Sequence, residues 1–92
     1  MRYKVIYSST SFKQIRSLHP SMKPVVKARI QELQEEPYLG KALQRELSGY
    51  YSYRAKRFRI IYKIDGQNKT LQIHHVGHRR DVYELIREML KP

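Results

Sequence analysis

Hydrophobic and polar positions alternate from Arg2 to Ser8, and this period of two residues predicts a β-strand with one clearly apolar face. The spacing of apolar residues then becomes helical. A short helix capped by Ser9 or Thr10 precedes a longer helix that begins at Ser21 and ends before Pro37. The apolar stripes of the two helices consist of Phe12, Ile15 and Leu18, and of Met22, Val26, Ile30 and Leu33.

The second half of the chain returns to strand patterns. Three strands are predicted, roughly over Tyr50–Arg54, Phe58–Ile64 and Thr70–Val76. A tight turn near Ala55–Arg57 joins the first two, and Asp65–Asn68 joins the last two, as in antiparallel hairpins. The middle strand alternates two sets of side chains that face opposite sides of the sheet, Phe58, Ile60, Tyr62 and Ile64 against Arg59, Ile61 and Lys63.

A last helix is predicted after the third of these strands. Asp81 caps it, helped by Glu84 three residues on, and its apolar stripe consists of Leu85, Ile86, Met89 and Leu90. The predicted order is β-α-α-β-β-β-α, a small α+β fold in a single domain over residues 1–92. We expect the two N-terminal helices to pack on one face of an antiparallel sheet and to leave the other face at least partly open.

The net charge of the chain indicates which classes of partner to expect. The 92 residues include 19 Lys and Arg against 8 Asp and Glu, a formal net charge of +11. Such an excess opposes compaction through self-repulsion, so we expect an acidic partner, either nucleic acid or an acidic protein. The chain lacks cysteine, which fits a reducing cytoplasm. No apolar run approaches the roughly 20 residues that span a bilayer, so no membrane role is expected.

The segment from Leu47 to Tyr83 carries the candidate chemistry. Cations and aromatic residues alternate there with β-forming residues, a composition that suits a phosphate chain and its bases. We expect Arg54 and Arg59 to lie on the open face of the sheet. The chain shows no His, Asp and Glu set with the spacing of a metal site, which argues against a metal-dependent nuclease.

Two motifs in this segment, LSGYYSYRAKRFRIIYKI and VGHRRDVY, resemble the RelE branch of the RelE/ParE toxin superfamily. The resemblance implies the toxin of a type II toxin–antitoxin pair that cuts messenger RNA in the ribosomal A site. It also implies a cognate acidic antitoxin, a heteromeric complex with it, and a site without metal or other cofactor. Matching motif positions give Arg54, Arg59, Arg79 and Tyr83 as site residues. Ser52 departs from the pattern, since well-known members have lysine there.

The roles of these residues follow from the implied reaction, attack of a 2′-OH on its neighbouring phosphate. Arginine is a poor base because its pKa exceeds about 12, so the arginines are assigned to phosphate binding and charge stabilisation. Candidates for the proton acceptor are His78 first, then His75, then Lys56. His74 should face opposite to His75, and Tyr83 either stacks on a base or donates to the phosphate. Further RNA contacts are expected from Lys56, Arg57, Arg80 and His75.

Two other functions stay open on the sequence. A ParE-like toxin that binds DNA gyrase without nuclease chemistry would share the fold and much of the basic strand pattern, but that branch generally lacks the terminal tyrosine and the assembled cationic site. A plain basic RNA-binding module would bind RNA with a steep dependence on salt and would not cleave it.

Overall fold

The computed structural model describes residues 2–90, apart from several side chains of the last helix. The elements are β1 (Lys4–Tyr7), α1 (Ser9–Arg16), α2 (Lys23–Glu35), β2 (Lys41–Ala42), β3 (Tyr51–Ala55), β4 (Phe58–Asp65), β5 (Thr70–His78) and α3 (Arg79–Leu90), with single 3₁₀ turns at Pro37–Leu39 and Arg45–Leu47. The predicted apolar stripe of the last helix, Leu85, Ile86, Met89 and Leu90, lies outside the described side chains. None of the helices within residues 2–90 has the length and apolarity that crossing a bilayer requires.

The strands form one mixed sheet in the order β1-β5-β4-β3-β2. The α+β class and the predicted order of elements are confirmed, with β2 as an added strand of two residues. Strands β2 to β5 are antiparallel, but the expectation of a wholly antiparallel sheet was wrong, because β1 pairs with β5 in parallel. The two strands are separated by most of the chain, so no hairpin sets their relative direction.

Helices α1 and α2 cover one face of the sheet, as predicted. The core between them and the sheet consists of Leu18, Val26, Ile30, Leu33, Ala55, Ile60, Tyr62, Leu71, Ile73 and Val76. Both helices begin away from their predicted caps. Ser8 caps α1 by accepting from the Ser11 amide at 3.0 Å, and α2 begins after Met22 without a side-chain cap. Pro24 lies in the first turn of α2, where its missing N–H costs little.

The opposite face of the sheet is partly covered. A second, smaller cluster there consists of the buried residues Leu47, Tyr50 and Ile61, with Leu43 and Tyr83 packed against it. The segment between β2 and β3 and the start of α3 therefore border this face, and the cationic positions of β3 and β4 lie beside them. The charged side chains of this face therefore lie next to a small hydrophobic cluster.

A register shift interrupts the pairing of β4 with β5. Ile61 pairs with His75 and Tyr62 pairs with Ile73, so His74 is an extra residue in β5. Such a bulge leaves backbone groups without strand partners and ends the regular alternation of faces. Helix α1 compensates, because the Ser8 hydroxyl donates to the His74 carbonyl at 2.9 Å.

Tyr62 fastens the connection after α2 to the middle of the sheet. Its side chain is fully buried, and its hydroxyl donates to the Pro37 carbonyl at 2.7 Å and accepts from the Gly40 amide at 3.1 Å. Burial raises the pKa of this hydroxyl, which keeps it protonated and able to donate. A Cβ at Gly40 would collide with the Tyr62 side chain, so glycine is required where the chain enters β2.

Candidate active site

Cross-strand pairing gathers four polar side chains on the face of the sheet away from α1 and α2. Arg54 of β3 lies directly opposite Arg59 of β4, so the two side chains share one face of the sheet. On the other side of β3, Lys41 of β2 lies directly opposite Ser52. Residues two apart in a strand share a face, so Ser52 and Arg54 bring the two pairs together.

Helix α3 adds an arginine and a tyrosine to this group. It begins at Arg79, immediately after β5, so Asp81 lies in its first turn and not at its cap. Arg79 and Tyr83 are four residues apart and share one side of the helix. The Tyr83 hydroxyl donates to the Ser52 hydroxyl at 3.2 Å, which ties α3 to the middle of β3.

These residues surround a cavity of about 300 Å³, which we call the cationic pocket. Its lining consists of Leu39, Lys41, Ser52, Tyr53, Arg54, Arg59, Arg79 and Tyr83. Four of the eight are cationic and none is acidic. The pocket therefore concentrates positive charge around the paired hydroxyl groups of Ser52 and Tyr83, an environment that attracts an anion.

A second cationic surface adjoins the pocket along α3. This α3 groove, of about 380 Å³, is lined by Arg79, Arg80, Tyr83, Glu84 and Arg87. Arg79 and Tyr83 belong to both cavities, so the two form one continuous surface. The phosphates of an extended nucleic-acid backbone could contact arginine side chains all along the pocket and the groove.

Comparison with known proteins identifies the family. A sequence model described as the ParE toxin of the type II toxin–antitoxin system parDE matches residues 4–83. Toxin RelG of Mycobacterium tuberculosis is 36% identical over 85 residues, which cover 90% of this chain and 98% of RelG. The chain belongs to the RelE/ParE family of type II toxin–antitoxin toxins.

Solved structures agree with this assignment. The RelBE2 toxin–antitoxin complex of M. tuberculosis contains a chain 34% identical to this toxin, with a TM-score of 0.78, and the match covers 86% of this toxin and 100% of that chain. A mutant of the Escherichia coli toxin RelE in the free state is 20% identical, with a TM-score of 0.75 over 91% of this toxin and 93% of that chain. The latter likeness is one of fold.

The structure does not bring His78 into the cationic pocket of this RelE/ParE toxin. His78 pairs with Phe58 across the β4–β5 ladder, and their rings lie 4.5 Å apart. Phe58 packs against the main core, on the face covered by α1 and α2. Strand alternation explains the difference, because Gly77 is the residue opposite Arg59 and its neighbour His78 points to the other face. The first choice for the proton acceptor therefore does not line the site.

His75, predicted to contact RNA, is buried, with 3% of its surface exposed, and does not line the cationic pocket. It pairs with Ile61, and the ring of its neighbour His74 lies 5.2 Å from that of Tyr50. Ile61 and Tyr50 belong to the same small cluster, so the bulge turns both histidines to one face, against the expected alternation. Burial lowers the pKa of both imidazoles, and neither His74 Nε2 nor His75 Nδ1 finds a hydrogen-bond partner among the described residues.

Three other predicted RNA contacts are exposed but lie outside the cationic pocket. Lys56 and Arg57 form the turn between β3 and β4. The Arg54 guanidinium donates through Nε to the Lys56 carbonyl at 3.2 Å, so this turn adjoins one pocket arginine. Arg80 lines the α3 groove. These positions extend the cationic surface in two directions from the pocket.

Sequence reasoning missed Lys41 as a site residue. Its position depends on β2, which at two residues is too short to show an alternating pattern. The sequence signal that could have found it is Gly40, the residue that lets the chain approach Tyr62 and enter β2. Among the described residues, no three His, Asp or Glu side chains come together as metal ligands.

Proposed function

We propose that this toxin is a ribosome-dependent endoribonuclease that cuts messenger RNA in the A site by attack of a 2′-OH on the adjacent phosphate. The observation that carries the proposal is the cationic pocket, where Arg54, Arg59 and Arg79 meet the Tyr83 hydroxyl without an acidic neighbour in the lining. RNA supplies both the nucleophile and the leaving group of this reaction. The protein has to bind the phosphate, stabilise the added charge and move protons.

The arginines suit the charged centre of the reaction. Attack on the phosphate places extra negative charge on its non-bridging oxygens, and guanidinium groups can donate two parallel hydrogen bonds to such oxygens. Arg54 and Arg59 come from paired strands, and Arg79 comes from the first turn of a helix, so the backbone fixes where all three side chains begin. Donors held in place before the reaction stabilise its transition state without further reorganisation.

Tyr83 suits the position of the base next to the scissile phosphate. Its ring is partly buried against the small cluster, and its hydroxyl is held by Ser52. A ring fixed in this way can stack on an RNA base, and base–aromatic stacking is worth about 1–3 kcal/mol per base. The α3 groove next to it offers Arg80 and Arg87 for the flanking phosphates.

A cognate antitoxin completes the proposal. The chain belongs to a family of type II toxins, and the related M. tuberculosis protein is known in a toxin–antitoxin complex. A net charge of +11 favours an acidic partner. We infer that such a partner binds this toxin in a heteromeric complex in the cytoplasm, where ribosomes and messenger RNA are found.

A second candidate function is suggested by the family model itself, which describes ParE toxins. A toxin of that type would bind gyrase and leave messenger RNA intact. The cationic pocket favours the nuclease, because gyrase binding gives no role to three arginines that surround one cavity.

Expression in bacterial cells without the antitoxin separates these functions. The wild-type toxin should stop growth and fragment messenger RNA, and Arg79→Ala should do neither, since loss of one fixed donor lowers a rate by about 10²–10³. Arg16→Ala is the matched control, because Arg16 is an exposed arginine of α1 outside both cavities. A folded Arg79→Ala protein with full toxicity would contradict the site, and DNA breaks with intact messenger RNA would favour gyrase.

A further inference from the structure

The proposed cleavage needs a group that accepts the 2′-OH proton, and the structure reduces the candidates for that role. His75 is buried, and the His78 ring contacts Phe58 on the other face of the sheet. The arginines of the pocket hold their protons too tightly to act as bases. Tyr83 already directs its hydroxyl proton to Ser52.

Lys41 is the amine that lines the cationic pocket. It lies directly opposite Ser52 in the β2–β3 pair, and side chains at such positions begin about 4.5–5.5 Å apart. The flexible four-carbon stem of Lys41 can therefore bring its amine from the edge strand β2 toward Ser52 and into the pocket.

The backbone around Lys41 is held more firmly than a two-residue edge strand would suggest. Gly40, the preceding residue, donates its amide to the hydroxyl of the buried Tyr62 at 3.1 Å. After β2, the Leu43 amide donates to the Tyr50 carbonyl at 2.9 Å. Lys41 thus lies between two fixed points, and its side chain is exposed on the side of the pocket.

We propose that Lys41 is the catalytic proton acceptor of the cleavage reaction, an inference that rests on the proposed function. Its amine takes the proton of the 2′-OH as the 2′-oxygen bonds to phosphorus. The bond from phosphorus to the 5′-oxygen breaks, water protonates that oxygen, and the products are a 2′,3′-cyclic phosphate and a 5′-OH. Lys41 then returns its proton to solvent, so no atoms or charges are left over.

The test measures single-turnover cleavage on programmed ribosomes with saturating toxin, from about pH 6 to about pH 9. The wild-type rate should rise with pH, because a proton acceptor acts only in its unprotonated form. Lys41→Arg keeps the positive charge but removes the acceptor, so it should lower the rate by about 10²–10⁴ and abolish the rise with pH. Lys41→Ala should behave in the same way. Lys13→Arg, an exposed lysine of α1, is the matched control and should retain the wild-type profile.

Each outcome bears on a different claim. If Lys41→Arg cleaves at the wild-type rate with the wild-type pH profile, Lys41 supplies only charge and the inference fails while the nuclease function stands. If the wild-type toxin leaves the message uncut, the proposed function fails and the inference fails with it. Because Lys41 is exposed, both variants should unfold at the wild-type denaturant midpoint, which separates a loss of chemistry from a loss of fold.

Discussion

Arg54 and Arg59 lie directly opposite each other on β3 and β4, an arrangement that works against folding. Like charges at directly opposite positions in a sheet repel, and such cross-strand interactions amount to about 0.2–1 kcal/mol. A bound phosphate would remove this repulsion by placing a negative charge between the guanidinium groups. The pair is therefore easier to understand as a binding device than as a stabilising feature of the hairpin.

His75 shows how burial at the residue scale becomes a dependence of stability on pH. Burial lowers the pKa of its imidazole below the ordinary value of 6.5, so the folded protein binds fewer protons than the unfolded chain just below that pH. Stability must then rise with pH through the window between the lowered pKa and 6.5. Neighbouring His74 acts in the same direction, chiefly through burial and then through the charge of Lys63.

We predict that the free energy of unfolding decreases from about pH 7.5 to about pH 5.5, because the unfolded chain gains protons on His75 and His74 that the folded protein binds less readily. Urea unfolding at the two pH values measures the decrease. His75→Leu should weaken the dependence, and His19→Gln, at an exposed loop position, should retain it in full. Equal or greater stability at the lower pH would show that these imidazoles are not buried in their neutral form.

The arginines and the tyrosine of the site could be predicted from motif positions, because their spacing within β3, β4 and the start of α3 is local in sequence. The positions of the candidate proton acceptors relative to the pocket could not. Whether His78 faces the pocket depends on which residue of β5 lies opposite Arg59, and that register is a property of the folded sheet. Lys41 depends in turn on a two-residue strand that has no pattern of its own.

At the scale of elements, the connection between α2 and β2 determines how the edge of the site is held. The hydroxyl of Tyr62 bonds to Pro37 and Gly40, so a buried side chain of β4 fixes the chain just before Lys41. The site therefore depends on contacts on both faces of the sheet. Substitutions on the core side of β4 should therefore alter the position of the residues that line the pocket.

Gly40→Ala tests this coupling. The added Cβ would collide with the buried Tyr62 side chain, and overpacking of this kind typically costs about 1–3 kcal/mol. We predict a decrease of that size in the free energy of unfolding, measured with urea. The control is Gly66→Ala in the β4–β5 turn, where the nearest described atom to a new Cβ is Tyr3 Oη at 4.0 Å. If the two variants are equally stable, the Tyr62 anchor is not important.

Most elements could be predicted from the periodicity of apolar residues, and the exceptions have physical causes. Helix α1 begins one residue earlier than expected because Ser8 is its cap, and α3 begins before Asp81 because β5 runs directly into it. The bulge at His74 arises in the pairing of β5 with β4, with Ser8 of α1 bonded to its carbonyl. A single strand pattern carries no information about these contacts.

At the scale of the whole molecule, the two faces of the sheet have separate tasks. Helices α1 and α2 bury the main core on one face, and the other face carries the cationic pocket and the α3 groove. The net charge of +11 adds a long-range attraction toward acidic partners. The parallel pairing of β1 with β5 joins the first strand of the sequence to the last one. The hydrophobic pattern within either strand does not reveal this long-range contact.

The most direct test of the central claim is primer extension on a defined message, with the wild-type toxin added to a reconstituted translation reaction or to the same RNA without ribosomes. We predict discrete cuts at codons in the A site, found only with ribosomes and lost with Arg79→Ala but not with Arg16→Ala. An uncut message in the presence of translating ribosomes and folded toxin would contradict it.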